Sequence, residues 1–265
     1  MSGFAKEWLE LREPVDRRSR DARLLDEAVQ ALPGTKATTV LDIGCGTGST
    51  YRTLKPKLPD NACWRLFDYD KRLLVEAERR HPSDGITFIN GDLNDLDALP
   101  LEGVTLLTAS ALFDLCSPDF IGRFARKIAE SRTKVYAALN YDGEMHWSVE
   151  HPLDEAVKDA FNTHQQTDKG FGSSAGPEAW KVLAQRLEEH AFSVTTADSP
   201  WLMGRDDGEL QRQFLEGVVG AVTEAGRLET GELHDWLQFR VKAIPATGSL
   251  CRVGHRDVLG LLETL

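Results

Sequence analysis

The stretch VLDIGCGTGST, residues 40–50, decides how the rest of the chain is read. Val40 to Ile43 form an apolar run broken by one acid, Asp42, and read as a buried strand. Glycines follow at 44, 46 and 48, and STYRTL beyond them has the character of a helix. Glycine permits positive φ and lets a ligand come close to the backbone, and a helix N-terminus offers unpaired N–H groups. A strand, a bare loop and a helix in this order match the ligand crevice at the carboxyl ends of an open α/β sheet; a tight structural turn is the alternative. The dinucleotide fingerprint G-x-G-x-x-G calls for glycine at 49, where Ser49 stands, and no P-loop lysine follows. The loop therefore suits a ligand with no pyrophosphate to cradle.

Outward from this stretch, strand and helix patterns alternate. CWRLFDYD, ITFING, VTLLTAS and KVYAALNY read as strands. KRLLVEAERRH and SPDFIGRFARKIAES read as the intervening helices, the latter with Ser117 as N-cap and Pro118 in its first turn. Such alternation predicts a doubly wound α/β domain with a mostly parallel sheet. On the N-terminal side, FAKEWLELRE places Phe4, Trp8 and Leu11 on one helical face; Pro14 is expected to break it, and a second helix should end at Pro33-Gly34. Past Tyr141, DGEMHWSVEHP looks irregular, LDEAVKDAFNTHQQ helical, and TDKGFGSSAGP a mobile glycine-rich loop. A helix (EAWKVLAQRLEEHA), a strand (FSVTTADS) and two further helices follow. The chain then reads as a last strand, SLCRVGH, running into a short helix, RDVLGLLETL. The expected organisation is an N-terminal helical cap over 1–34 and one sheet domain over 35–265. That domain should hold seven strands with the last antiparallel, and helical insertions at about 141–175 and 200–247.

Bulk properties narrow the function. The 265 residues are 41% hydrophobic and 28% charged, as in an ordinary globular protein. A formal net charge of -11 with no Lys/Arg cluster argues against gripping nucleic acid through its phosphates. The four cysteines, Cys45, Cys63, Cys116 and Cys251, form no CxxC and suggest neither a zinc site nor a disulfide framework. A charged N-terminus without an apolar core, and the lack of a bilayer-length apolar run, lead us to expect a cytoplasmic protein without membrane partners.

VLDIGCGTG resembles the first motif of the class I S-adenosylmethionine-dependent methyltransferases, and the likeness to the small-molecule enzymes of bacteria continues from Thr38 to Asn140. It implies a Rossmann-like methyltransferase fold with S-adenosyl-L-methionine as cofactor and S-adenosyl-L-homocysteine as product. Asp42, Gly44, Cys45, Gly46 and Gly48 then belong to the donor site, with Asp42 anchoring the loop or meeting the methionine ammonium. Asp68, ending the second strand, would take the ribose hydroxyls, although it or Asp70 is also placed to cap the next helix. Tyr69 would stack on adenine. Asp92 would meet the adenine amino group, or simply cap LNDLDAL, and Leu93 would lie against the ring. Ser110 would line the methionine end. Arg20, like Arg12, is a candidate for a carboxylate on donor or acceptor, the alternative being solvation.

Methyl transfer from a sulfonium is an in-line displacement that needs alignment more than strong acids or bases. Candidates for catalysis are His164, Tyr141 and Asp114; candidates for the acceptor are Arg12, Asn140, Gln165, Lys169 and Trp201. SALF stands where enzymes that methylate amino groups of bases carry N-P-P-Y, and no metal-ligand cluster is visible. A small-molecule acceptor and no metal are expected. An NAD(P)-dependent oxidoreductase, a non-catalytic S-adenosylmethionine-binding relative, and a protein or RNA methyltransferase are the rival readings.

Overall fold

Alternate residues of the central strands face opposite sides of the sheet, and both sides are covered. The computed structural model describes residues 5–32, 38–82 and 85–262; Phe4 and Pro33-Gly34, which entered the sequence reading, lie outside them. Five parallel strands, β1 (Thr39–Ile43), β2 (Cys63–Asp68), β3 (Ile86–Asn90), β4 (Leu106–Ser110) and β5 (Lys134–Trp147), lie in the order β3-β2-β1-β4-β5. Two more complete the path: β8 (Cys251–Leu262) lies antiparallel between β5 and β6 (Phe192–Asp198). A short β7 (Trp201–Met203) pairs with β8 off that path, one strand beyond the seven expected.

Leu41, Ile43, Leu107 and Val135 turn to one face, against α5 (Pro118–Ser131) and α7 (Ala179–Glu189). Val40, Leu106, Tyr136 and Ala138 turn to the other, against α2 (Ala22–Gln30), α3 (Ser49–Leu54) and α4 (Lys71–Arg80). A third cluster joins α1 (Lys6–Ser19), α6 (Asp154–Gln165), α8 (Gly208–Ala225) and α9 (Thr230–Ala243) to the far ends of β5 and β8. The strand order reverses between β1 and β4, so the crevice at this switch point opens directly at Gly44.

Three expectations are corrected. Pro14 does not break the first helix: α1 runs through it to Ser19, its apolar side packed on the third cluster. The break falls at Arg20 (ψ 135°), after which Asp21 caps α2 by accepting from Leu24 N at 2.7 Å. DGEMHWSVEHP is irregular only in part: β5 continues through Trp147, with Met145 buried between exposed Glu144 and His146, but its pairing with β8 shifts between Tyr141 and Met145 and residues 148–152 belong to no strand or helix. Of RDVLGLLETL, residues 256–262 are strand and not helix: β8 continues to Leu262, because Val258 and Leu259 are buried on opposite faces of the sheet, and the last three residues lie outside the described ones. A short apolar run does not reveal its period until both covers are known.

Candidate active site

Gly44, Gly46 and Gly48 all have positive φ (60°, 54° and 86°), so the loop after β1 turns with its backbone bare. A Cβ at Gly46 would also meet Leu9 of α1 at 3.2 Å, filling the gap between loop and helix. The loop is pinned by Asp68, whose Oδ2 accepts from Gly46 N at 2.8 Å and whose Oδ1 accepts from Asp70 N at 2.8 Å. Capping of α4 falls to Asp70, which accepts from Arg72 N. Burial raises the Asp68 carboxyl above its usual range, against the pull of those N–H donors. On the other side, Arg52 of α3 donates to Thr47 O and to Glu13, joining the glycine loop to α1.

Behind the loop lies an incompletely satisfied polar set. Asp42, opposite Thr108 in register, accepts from its hydroxyl at 2.7 Å through Oδ1, while Oδ2 is buried without a partner. Burial pushes its carboxyl up to about 7, although Thr108 and Arg20 oppose the rise. Arg20 is buried and donates through Nη2 to Thr50 at 3.3 Å and Ser110 at 3.1 Å, while Nε and Nη1 have no partner. Unpaired buried polar atoms are costly. A guanidinium and a carboxyl with unsatisfied buried atoms therefore stand behind the loop, while Asp68 is at the cavity surface.

Asp68 lines a cavity of about 990 Å³, as do Thr50 and Ser110, the two partners of Arg20, whereas Asp42 and Arg20 themselves are buried and do not line it; the volume is at the upper end of the roughly 300–1,000 Å³ of small-molecule sites. Gly44, Cys45, Gly46, Asp68, Tyr69 and Leu93 line it. Ser110, Leu112, Arg12, Gln165 and Lys169 line it as well. Gly48 stands just behind, as the left-handed cap of α3.

Other expected residues are placed elsewhere. Asp92 is exposed and caps its own turn, accepting from Asn94 N at 2.9 Å. Asn140 is fully buried inside the sheet and does not border the cavity. Leu139 before it has φ 56° at an irregularity of β5, and Asn140 donates to Ala137 O and Arg256 O, closing the gap in the ladder. Tyr141 donates to Asn162 at 2.8 Å, its phenol pushed up chiefly by burial. His164 faces Glu224 (2.9 Å) rather than the cavity. Trp201 donates to Asp16 at 2.9 Å and lies beneath the Arg12 guanidinium, 5.2 Å from its ring. Asp114 has a buried, unpartnered Oδ1 and a carboxyl pushed up to about 6 by burial, with Arg12 opposing.

Asp16 and Asp168 line the cavity and escaped the catalytic and acceptor lists. Asp16 accepts from Arg12 at 2.8 Å, a pairing that the four-residue spacing on one helix could have signalled. Asp168 gathers the glycine-rich stretch into a closed turn, accepting from Gly170 N and Gly172 N. Phe171 packs on Phe120 (4.8 Å) and Ser174 donates to Leu115 O, so the stretch expected to be a mobile loop is tied to the core.

Comparison with known proteins agrees with this geometry. A family described as a methyltransferase domain matches residues 40–133. Trans-aconitate 2-methyltransferase of Mycolicibacterium gilvum is 25% identical over 78% of this chain and 76% of its own. Malonyl-[acyl-carrier protein] O-methyltransferase of Enterobacter lignolyticus is 22% identical over 94% and 89%. Among solved structures, a cyclopropane-fatty-acyl-phospholipid synthase-like protein from Lactobacillus casei shares the fold (TM-score 0.56, 15% identity, covering 95% of this chain and 92% of that one). A methyltransferase domain thus spans residues 40–133, and with the sheet order, the bare loop and the strand-end acid all in place the chain is a methyltransferase that uses S-adenosylmethionine as its methyl donor.

Proposed function

We propose that the acceptor is a small carboxylate-bearing molecule, methylated on a carboxylate oxygen, in the cytoplasm. The observation that carries this reading is a pair of cationic side chains from separate elements, Arg12 of α1 and Lys169 beyond α6, on the same cavity. Arg12 lies over the Trp201 ring and donates through Nε to Asp16, leaving its Nη donors for a bidentate carboxylate. Burial lowers the Lys169 ammonium from its ordinary value, a cost that an acceptor anion would offset. The names of both relatives are in keeping: trans-aconitate is a tricarboxylate, and malonyl carries a free carboxylate.

The donor, when bound, supplies a methyl group on a positively charged sulfur. The chain's own part is alignment. In this reading Asp68 takes the ribose hydroxyls, Tyr69 and Leu93 flank the adenine, and Asp42 and Arg20 receive the ammonium and carboxylate of the methionyl end. Arg12, Lys169 and Gln165 hold the acceptor. An ionised carboxylate has no proton to lose, so no general base is required, in keeping with Tyr141 and His164 standing away from the cavity.

Incubating the enzyme with methyl-labelled S-adenosylmethionine and a cell extract tests this. The product label should be released as methanol by mild alkali, as from an ester; an alkali-stable label would overturn the reading. Arg12→Ala should raise the KM for that acceptor about tenfold or more, the worth of a lost charge-assisted pair. Donor binding should also depend on Asp42. Its carboxyl, at about 7 without ligand, must ionise to meet an ammonium, so binding releases a proton. S-adenosylhomocysteine affinity should therefore fall by up to about tenfold per pH unit below 7 and level off above it. Calorimetry across pH 6–8 in buffers of different ionisation enthalpy checks this.

A further inference from the structure

We infer that Asp257, on the C-terminal strand β8, is a positioning residue for methyl-donor binding and acts through Arg20. The inference concerns the donor and does not depend on the acceptor's identity. Arg20 and Asp21 are the two residues between α1 and α2, Arg20 having φ -56° and ψ 135°. Its side chain direction is therefore set by where Asp21 is pinned. Asp21 N–H donates to Asp257 Oδ2 at 3.1 Å, across 236 residues of sequence. The same oxygen accepts from the Tyr136 hydroxyl at 2.8 Å, and Oδ1 accepts from Leu139 N at 2.9 Å. One fully buried carboxylate thus joins the α1–α2 corner, the middle of β5 and β8.

The charge arrangement has a consequence for Arg20. A buried guanidinium ordinarily recruits a direct carboxylate partner. Asp257 offers its oxygens to three neutral donors instead, although the Tyr136 phenol feels both Asp257 and Arg20. Arg20 keeps Nε and Nη1 without a hydrogen-bond partner, with Asp42 as the carboxyl that feels its charge. Its Nη2 is fixed on Thr50 and Ser110, both of which line the cavity. Asp257 anchors the corner, and the corner sets Arg20, buried directly behind Thr50 and Ser110, which line the cavity.

The test is calorimetric titration of the full chain with S-adenosylhomocysteine. Asp257→Asn keeps the shape but replaces one acceptor oxygen with a donor facing an N–H or O–H, and should weaken binding about tenfold or more. Tyr136→Phe, which removes one of the three donors, should give a smaller loss in the same direction. Arg20→Ala should lose about as much as Asp257→Asn, and the double variant no more than either single one, because the two lie on one path. With an extract as acceptor pool, the KM for the donor should rise while the rate at saturating donor stays within about twofold. A merely structural role would leave the losses additive. Parental affinity in folded Asp257→Asn, or additive losses with Arg20→Ala, would overturn the inference, as would a parent protein that gives no binding heat. Should Asp257→Asn not fold, the Tyr136→Phe and Arg20→Ala pair decides by the same criterion.

Discussion

Asp68→Ala should reduce affinity for S-adenosylhomocysteine by about 30- to 1,000-fold, equivalent to roughly 2–4 kcal/mol. The carboxylate already accepts from Gly46 N and Asp70 N, one bond on each oxygen. Each oxygen has a second lone pair free for a hydroxyl. Its removal therefore acts twice: the direct acceptors for the sugar are lost, and the bare loop loses the bond that sets Gly46. Asp68→Asn should fall between parent and Ala, since one oxygen survives while the amide N–H₂ must face a donor. Calorimetric titration of the folded variants provides the measurement, with circular dichroism as the check on folding. Undiminished affinity in Asp68→Ala would remove the ribose role assigned to this acid.

The second large effect is on stability. Arg240→Ala should destabilise the protein by about 3–5 kcal/mol, lowering Tm by roughly 6–20 °C. Arg240 is buried within α9; its guanidinium donates through Nη2 to both oxygens of Asp154 and through Nη1 to Val149 O. Trp236 donates to the same Asp154 at 2.8 Å, and the Trp147 ring lies 4.7 Å from the guanidinium. Burial lowers the Arg240 pKa from its ordinary value, opposed by Asp154, so the cation is held by its partner rather than by water. Truncation strands the Asp154 carboxylate, which is largely shielded from solvent. The loss should lie nearer the lower figure, because some water still reaches Asp154. Replacing both partners with apolar residues, as in Arg240→Met with Asp154→Leu, should recover only part of it, because Trp236 Nε1 and His151 N then lose their acceptor. Urea unfolding of the single and double variants separates the two outcomes.

How far the site was legible differs from residue to residue. Gly44, Gly46 and Asp68 were read because local chemistry reports them: positive φ needs glycine, and an acid at a strand end in an alternating chain points to the crevice. Asp92 was ambiguous for a local reason, since the same carboxylate serves a ligand or caps a turn, and here it accepts from Asn94 N. His164 and Tyr141 were candidates by residue type. Their partners, Glu224 and Asn162, lie far along the chain, and no pattern near either residue announces them.

The amino-acid sequence by itself determined the alternating α/β sheet, the bare loop at its switch point and the acid beside it. These depend on the periodicity of burial and on backbone sterics, both local. Only the tertiary structure decided that Pro14 stays within a helix, that the last apolar run is a strand, and that Asp257 reaches the α1–α2 corner from which Arg20 bonds the cavity-lining Thr50 and Ser110. Each of those depends on which distant surface covers a residue or which distant donor satisfies it. That is a property of the packed chain, since burial and hydrogen-bond satisfaction are settled only when all the elements are in place.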